Sequence, residues 1–136
     1  MMGVGKSTIG KSLAKRLSYN FLDMDRLIED REGCSINIIF KNKGENYFRK
    51  IETSLSLREL KKNNTIISLG GGAFLSNSIR KAVKDTSVSF WLDVNINELV
   101  KRLNKTKKRP LLFKKNMKDT VSKIYLERKR IYNEAD

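Results

Sequence analysis

The chain has no histidine, one cysteine and one proline, and each scarcity closes off a class of function. Without histidine there is no imidazole for general acid–base work, for a Ser-His or Cys-His couple, or for the common zinc ligand sets. Cys34 alone can neither found a metal site nor close an internal disulfide, and reads as a small apolar residue. With Pro110 the only proline, no Ser/Gly-rich linker and no internal repeat, the 136 residues are expected to form a single domain, residues 1–136. No apolar run approaches the roughly 18 residues of a membrane span, and the start lacks the basic region, apolar core and cleavage site of a signal peptide. A cytoplasmic protein with no membrane partner is expected. Acidic residues are scarce too: 15 Asp and Glu stand against 29 Lys and Arg, giving a net charge of +14. Such a balance suits anionic partners, whether nucleic acid, acidic lipid, or phosphorylated and carboxylated small molecules. Lysine-rich pieces such as "KKNN" and "FKKNMKD" serve equally well as solvated surface, so charge alone assigns no partner.

What is present is an alternation of helix and strand signals. In "STIGKSLAKRL", Ile9, Leu13 and Leu17 recur at four-residue steps, the face of a helix opening at Lys6 or Ser7. "YNFLDMD" is a short apolar run ending in two aspartates, as a buried parallel strand would be. A short helix from Arg26 is expected to stop at Gly33, and another, capped by Ser35, at Gly44. "ENYFRKIETSLSLRELKK" follows as a helix with Tyr47, Phe48, Ile51 and Leu55 on one side. "TIISL" is a β-branched strand running into Gly70, Gly71 and Gly72, after which Ser76 caps a helix with Ile79, Ala82 and Val83 facing inward. "SVSFWLDV" reads as a third strand and "INELVKRLNK" as the next helix, with Ile96, Leu99, Val100 and Leu103 inward. A cationic irregular stretch, "TKKRPLLFKKN", leads into a last helix carrying Val121, Ile124 and Tyr125. This order predicts an α/β fold with a parallel sheet covered on both faces.

Three stretches carry chemistry. "GVGKST" matches the end of the G-x-x-x-x-G-K-[ST] loop, whose first glycine would lie before Met1. In such a loop glycines let backbone N–H groups curl around phosphate, the following helix points its positive end at it, Lys6 reaches the β- and γ-phosphates and the Ser7 hydroxyl ligates Mg²⁺. A chance glycine-rich helix start is the plainer account. Asp23 and Asp25 lie two apart, so a strand would put both carboxylates on one face, one suited to a metal and the other to a substrate hydroxyl. Asp25 could instead be a helix cap. Gly70, Gly71 and Gly72 mark a place where something comes too close for a Cβ, or else a plain flexible turn. Arg49 and Arg128, both on helices, suit a carboxylate. Arg109 in the cationic loop suits a transferring phosphoryl group. Each arginine taken singly reads equally as surface charge.

Taken together, "GVGKSTIGKSLAKRL", "FLDMD", "YFRKIE", "SLGGGA", "KKRPLL" and "ERKRIYNEAD" resemble, in order and spacing, shikimate kinase, a small P-loop kinase family of aromatic amino-acid biosynthesis. The resemblance spans nearly the whole chain. It implies a three-layer P-loop kinase fold with a parallel sheet of order 2-3-1-4-5, substrate-binding helices over about residues 26–62 and a lid over about 104–116. It implies ATP and Mg²⁺: Gly3, Gly5, Lys6, Ser7 and Thr8 on the nucleotide, Ser7 and Asp23 at the metal, Arg102 along the adenine and Arg109 as the lid arginine. Asp25 would bind ring hydroxyls and act as base, with Lys6 and Arg109 as the other catalytic groups. Arg49, Arg128 and the glycine turn, Gly70, Gly71 and Gly72, would grip shikimate. A monomer that does not bind nucleic acid is implied.

The sequence departs from the family at both ends, lacking the first strand that leads into the loop and the strand and helix after "ERxxxY". The expectation is therefore of the middle portion of a kinase, poorly stable and nearly inactive by itself. Three other readings stay open: a gluconate-kinase-like enzyme, an inactive fragment, and a basic nucleic-acid-binding module, though no recognition motif for the last is present.

Overall fold

The computed structural model describes residues 3–104 and 117–136. They gather into two compact units, one formed by Lys6–Ser89 and the other by the loop up to Gly5 with Phe90–Asp136. The first unit contains α1 (Lys6–Leu17), β1 (Asn20–Asp23), α2 (Met24–Glu32), α3 (Ile36–Glu59), β2 (Thr65–Ser68), a 3₁₀ turn (Ala73–Leu75) and α4 (Asn77–Thr86). β1 and β2 pair in parallel, Asn20 opposite Thr65 through Asp23 opposite Ser68. A parallel pair needs a long crossover, which α2 and α3 supply. Both strands therefore end at the same edge, with Asp23 at one carboxyl end and the glycine turn just beyond the other.

The glycine stops fall where the sequence puts them. Gly33 ends α2 in the left-handed region at φ 65°, and Gly44, at φ 79° and ψ 170°, interrupts α3. The core between crossover and sheet is Met24, Ile28, Ile39, Phe48 and Leu55, with Leu22, Cys34, Phe40, Ile51 and Ile67 packed on it. Ile79 and Val83 bury the inner face of α4 as expected. Ser76 stands at the cap position of α4, its carbonyl accepting from the Arg80 N–H at 3.0 Å, but its side chain does not make the expected cap bond; its hydroxyl lies 2.9 Å from that of Ser78.

α1 forms where the spacing predicts it, and two other expectations are overturned. α1 buries Gly10 and Ala14, while Ile9 and Leu17 are about half exposed. A Cβ on Gly10 would lie 2.6 Å from the Phe21 ring, so the small-residue face is the one that fits closely over β1. Asp25 is not on a strand with Asp23, because β1 ends at Asp23 and the helix starts at Met24, two residues before the expected Arg26. The stretch "SVSFWLDV" is not a strand: residues 87–95 are in no ladder, and Val88 and Phe90 are exposed. A strand exists only through backbone pairing, and among the described residues this run has no ladder partner.

The second unit contains α5 (Ile96–Asn104) and α6 (Met117–Tyr132), which pack together. Asn95 caps α5, its Oδ1 accepting from the Asn97 N–H at 2.9 Å. Leu99 and Leu103 are buried, as is Val121 of α6. The Trp91 ring centroid lies 5.9 Å from that of Tyr132 and 6.4 Å from that of Tyr125. Tyr125 also donates to Asp93 Oδ2 at 3.2 Å.

Candidate active site

Gly3 and Gly5 both have positive φ, 74° and 94°, the backbone freedom that a curled phosphate loop needs. A Cβ on Gly5 would meet nothing within 4 Å, so conformation rather than crowding calls for glycine there. α1 opens at the next residue, with Lys6 and Ser7 half-buried and Thr8 exposed in its first turn. The Ser7 hydroxyl donates to Asp23 Oδ2 at 2.5 Å. The other oxygen of Asp23 accepts from the backbone N–H of Asp25 at 3.1 Å and, more weakly, of Arg26 at 3.5 Å. Asp23 is thus both the partner of the loop serine and the cap of α2. The cap lies at Asp23 rather than Asp25, which leaves the Asp25 side chain for other contacts.

Those contacts lie at the glycine turn. A Cβ on Gly70 would sit 2.8 Å from Asp25 Oδ1 and 2.6 Å from Glu52 Oε1. A Cβ on Gly72 would sit 2.5 Å from Arg49 Nη1 and 2.8 Å from its Cζ. The glycines therefore leave room for the protein's own carboxylates and guanidinium. Two carboxylates and one arginine close on the turn that follows β2, with Arg49 donating to Glu52 Oε2 at 2.5 Å and to Glu45 Oε1 at 3.2 Å. Burial pulls the Arg49 pKa down, but the bonds to Glu52 and Glu45 outweigh it and leave it raised. The 3₁₀ turn that follows the glycines is tied to α4 by Arg80, whose Nη1 donates to the Phe74 and Leu75 carbonyls at 2.9 Å each. Asn77 Oδ1 accepts from the same guanidinium.

Glu52, only 2% exposed, is the site residue that sequence reasoning missed. Its signal was the i, i+3 spacing in "YFRKIE", where an arginine and a glutamate fall on one helix face. A buried charge that lacked Arg49 would be costly. Ser7, Asp23, Asp25, Arg49, Gly70 and Gly72 thus all belong to the first unit. Gly71 lies in the same turn, half-buried. Arg102 on α5, ion-paired to Glu98 at 3.0 Å, and Arg128 on α6 belong to the second. Arg109 and the expected lid segment beyond Asn104 lie outside the described residues.

No group of three or more Asp, Glu, Cys or His among the described residues could hold a metal ion by itself. The Ser7–Asp23 pair is a different kind of donor set, a hydroxyl and a carboxylate. It suits Mg²⁺, which keeps several waters and takes few protein ligands beside phosphate oxygens. No helix among the described residues is long and apolar enough to cross a membrane.

Comparison with known proteins identifies the family. Residues 2–136 match the family model for shikimate kinase. The shikimate kinase of Bartonella henselae is 40% identical over 136 residues, all of this chain and 65% of the relative's length. That of Persephonella marina is 40% identical over 135 residues, 99% of this chain and 81% of the relative. Among solved structures, shikimate kinase from Bacteroides thetaiotaomicron superposes with a TM-score of 0.94 at 31% identity, over all of this chain and 80% of that one. Shikimate kinase from Acinetobacter baumannii in complex with shikimate does so with a TM-score of 0.92 at 32% identity, over 98% of this chain and 74% of that one. The fold is that of the parallel α/β P-loop kinases, of which β1 and β2 are the paired strands among the described residues. With the family match running from residue 2 to residue 136, the chain belongs to the shikimate kinase family.

Proposed function

We propose that the protein transfers the γ-phosphoryl group of ATP to the 3-hydroxyl of shikimate, giving shikimate 3-phosphate and ADP in aromatic amino-acid biosynthesis. The observation that carries this reading is the convergence of Asp25, Glu52 and Arg49 on the side-chain-free surface of Gly70 and Gly72. A small acid with ring hydroxyls needs a hydroxyl acceptor and a carboxylate partner close together, and the turn brings both to one edge. The shikimate bound in the Acinetobacter baumannii relative supports the same substrate.

In this reading Asp25 accepts a hydrogen bond from the 3-hydroxyl. As that oxygen attacks, its bond to the γ-phosphorus forms, the bond from phosphorus to the β–γ bridging oxygen breaks with ADP leaving, and the hydroxyl proton passes to the Asp25 carboxylate. Arg49 and Arg128 hold the shikimate carboxylate, while the backbone of Gly70, Gly71 and Gly72 lines the ring. Gly3, Gly5, Thr8 and the start of α1 cradle phosphate, Lys6 neutralises the β- and γ-phosphates, and Arg102 lies along the adenine. Arg109 is assigned to the transferring group and residues of about 104–116 to a lid, by family resemblance. Ser7 and Asp23 would hold Mg²⁺, which supplies charge neutralisation at the phosphate oxygens. Residues 26–62 form the substrate-binding helices of one kinase domain, and the protein acts as a cytoplasmic monomer.

The test is ADP release by the purified protein with ATP and Mg²⁺, coupled to a spectrophotometric readout, over a substrate panel that includes shikimate and gluconate. Release that depends on shikimate and not on gluconate is expected. Release with gluconate alone, or none with shikimate from the folded full-length protein, overturns the proposal.

A further inference from the structure

Nothing in the site accounts for a cluster of polar side chains at the end of α2 and the break in α3. Gly44, in a conformation that side-chain-bearing residues rarely adopt, turns α3 sharply, and a Cβ there would meet nothing within 4 Å. Crowding at Gly44 itself therefore does not fix the turn, and glycine leaves its angle permissive; the Phe40 and Phe48 rings, 4.8 Å apart between centroids, pack across it. Three polar side chains also close around it. Lys43, immediately before the turn, donates to Glu32 Oε2 at 2.9 Å and to the Tyr47 hydroxyl at 3.2 Å. Tyr47, three residues after the turn, donates to the same Glu32 oxygen at 3.1 Å. Lys43 Nζ also stands 4.6 Å from the Tyr47 ring centroid. Glu32 is the last residue of α2, and its side chain is only 8% exposed. The triangle thus spans the end of α2 and both sides of the break in α3.

The elements it joins are those that carry the two substrate-facing charges. Asp25 stands in the first turn of α2, two helical turns before Glu32. Arg49 stands in the first turns after Gly44 and is bonded to Glu45, the first residue past the turn, and to Glu52. Any change in the angle at Gly44 moves Glu45 and, through it, Arg49 relative to Asp25. We propose that Glu32, Lys43 and Tyr47 are positioning residues: they set the angle of α3 at Gly44 and so hold Arg49 at the spacing from Asp25 that a hydroxylated carboxylic acid requires. This rests on the function proposed above. Lys43 is 46% exposed, and an ion pair open to solvent on one side adds little to global stability, so the triangle acts on substrate geometry more than on unfolding.

Lys43→Met, Glu32→Gln and Tyr47→Phe, made in the full chain, separate the possibilities. KM for shikimate and for ATP, kcat, Tm and amide hydrogen exchange along α2 and α3 are measured for each. The expected result is a rise in KM for shikimate of about two- to fivefold, the range a partly exposed pair can supply, with kcat and KM for ATP nearly unchanged and Tm at neutral pH lowered only slightly. Exchange at residues 45–49 should quicken while that in the middle of α2 does not. The charge-exchanged double variant Glu32→Lys with Lys43→Glu should restore both readouts. Unchanged exchange at 45–49, or a parallel loss in both KM values and Tm, overturns the proposal. If the unmodified protein releases no ADP with shikimate, the functional reading fails, and the exchange measurement still decides whether the triangle holds the turn.

Discussion

The hydroxyl of Ser7 and the carboxylate of Asp23 are in direct contact at 2.5 Å, which ties the first turn of α1 to the carboxyl end of β1. Because the second oxygen of Asp23 caps α2, two roles meet in one side chain and substitutions can part them. Asp23→Ala removes both and is expected to lower stability by about 1 kcal/mol, the usual value of a lost cap. Asp23→Asn keeps a capping oxygen but loses the charge, so it should unfold near the parent Tm while kcat falls on the order of 10²-fold and more Mg²⁺ is needed. Thermal unfolding and a Mg²⁺ titration of the rate check this pair. Equal stability losses in both variants would contradict the division.

A second consequence concerns Gly72. An added Cβ would meet the end of the Arg49 side chain rather than backbone, so the arginine can move aside and the protein should still fold. Gly72→Ala is therefore expected to cost little in Tm and much in substrate binding, raising KM for shikimate roughly tenfold or more as a charge-assisted bond is lost. Gly33→Ala is the contrasting change. Its φ of 65° strains any side chain with open space around it, so it should lower Tm and leave KM alone. Steady-state kinetics and melting curves on the two variants distinguish them.

Arg49→Ala has a further effect because Glu52 is buried. Removing the guanidinium takes away the Arg49 ion pair from that carboxylate, at a cost of about 1–3 kcal/mol, on top of the raised KM for shikimate. Adding Glu52→Gln should recover much of the lost Tm but none of the lost affinity. Recovery of both would mean that Arg49 acts only through the fold.

Much of this layout is legible in the sequence, and the residues that are not have a common cause. The stops at Gly33 and Gly44, the strand entering the triple glycine and the helix bearing Arg49 follow from local backbone preferences, which need no tertiary information. The paired aspartates read as a strand face because alternation cannot show where pairing ends, whereas in the structure β1 ends at Asp23 and a cap begins α2. Four-residue spacing identifies α1 as helical but not which face is covered, and the closeness of Phe21 selects Gly10 over Ile9. Glu52 looks like any surface glutamate until Arg49 and Gly70 are brought against it.

The fit at Gly10 gives a stability prediction with opposing terms. Replacing a helical glycine by alanine ordinarily gains about 1 kcal/mol, but here the new methyl would lie 2.6 Å from the edge of the Phe21 ring. Overpacking typically costs about 1–3 kcal/mol, so Gly10→Ala is expected to destabilise by about 1 kcal/mol net. Gly10→Ala with Phe21→Leu should recover the loss, as denaturant midpoints would show.

The pH dependence of stability follows from two carboxylates and from an absence. Lys43, donating a hydrogen bond, lowers the pKa of Glu32 below its ordinary 4.5 against a smaller effect of burial, with Tyr47 assisting. Lys62 and then Arg58 do the same for Glu59, again against burial. A carboxyl held lower in the folded chain than in the unfolded one contributes stability above the ordinary value, and that contribution is lost as pH falls through the folded pKa. With no histidine in the chain, no imidazole adds a transition near neutrality. Tm should therefore vary little between about pH 6 and pH 8 and fall once the pH drops below 4.5, the ordinary carboxyl value for both groups. Glu32→Gln and Lys43→Met should each flatten the acid limb, the second because it removes the cause of the shift while leaving the carboxylate. Glu59→Gln should flatten it independently, since Glu59 is paired with Arg58 and Lys62 and shares neither with Glu32. Melting curves at half-unit pH steps decide the matter. An acid limb that keeps its slope in all three variants would place the acid sensitivity in other groups.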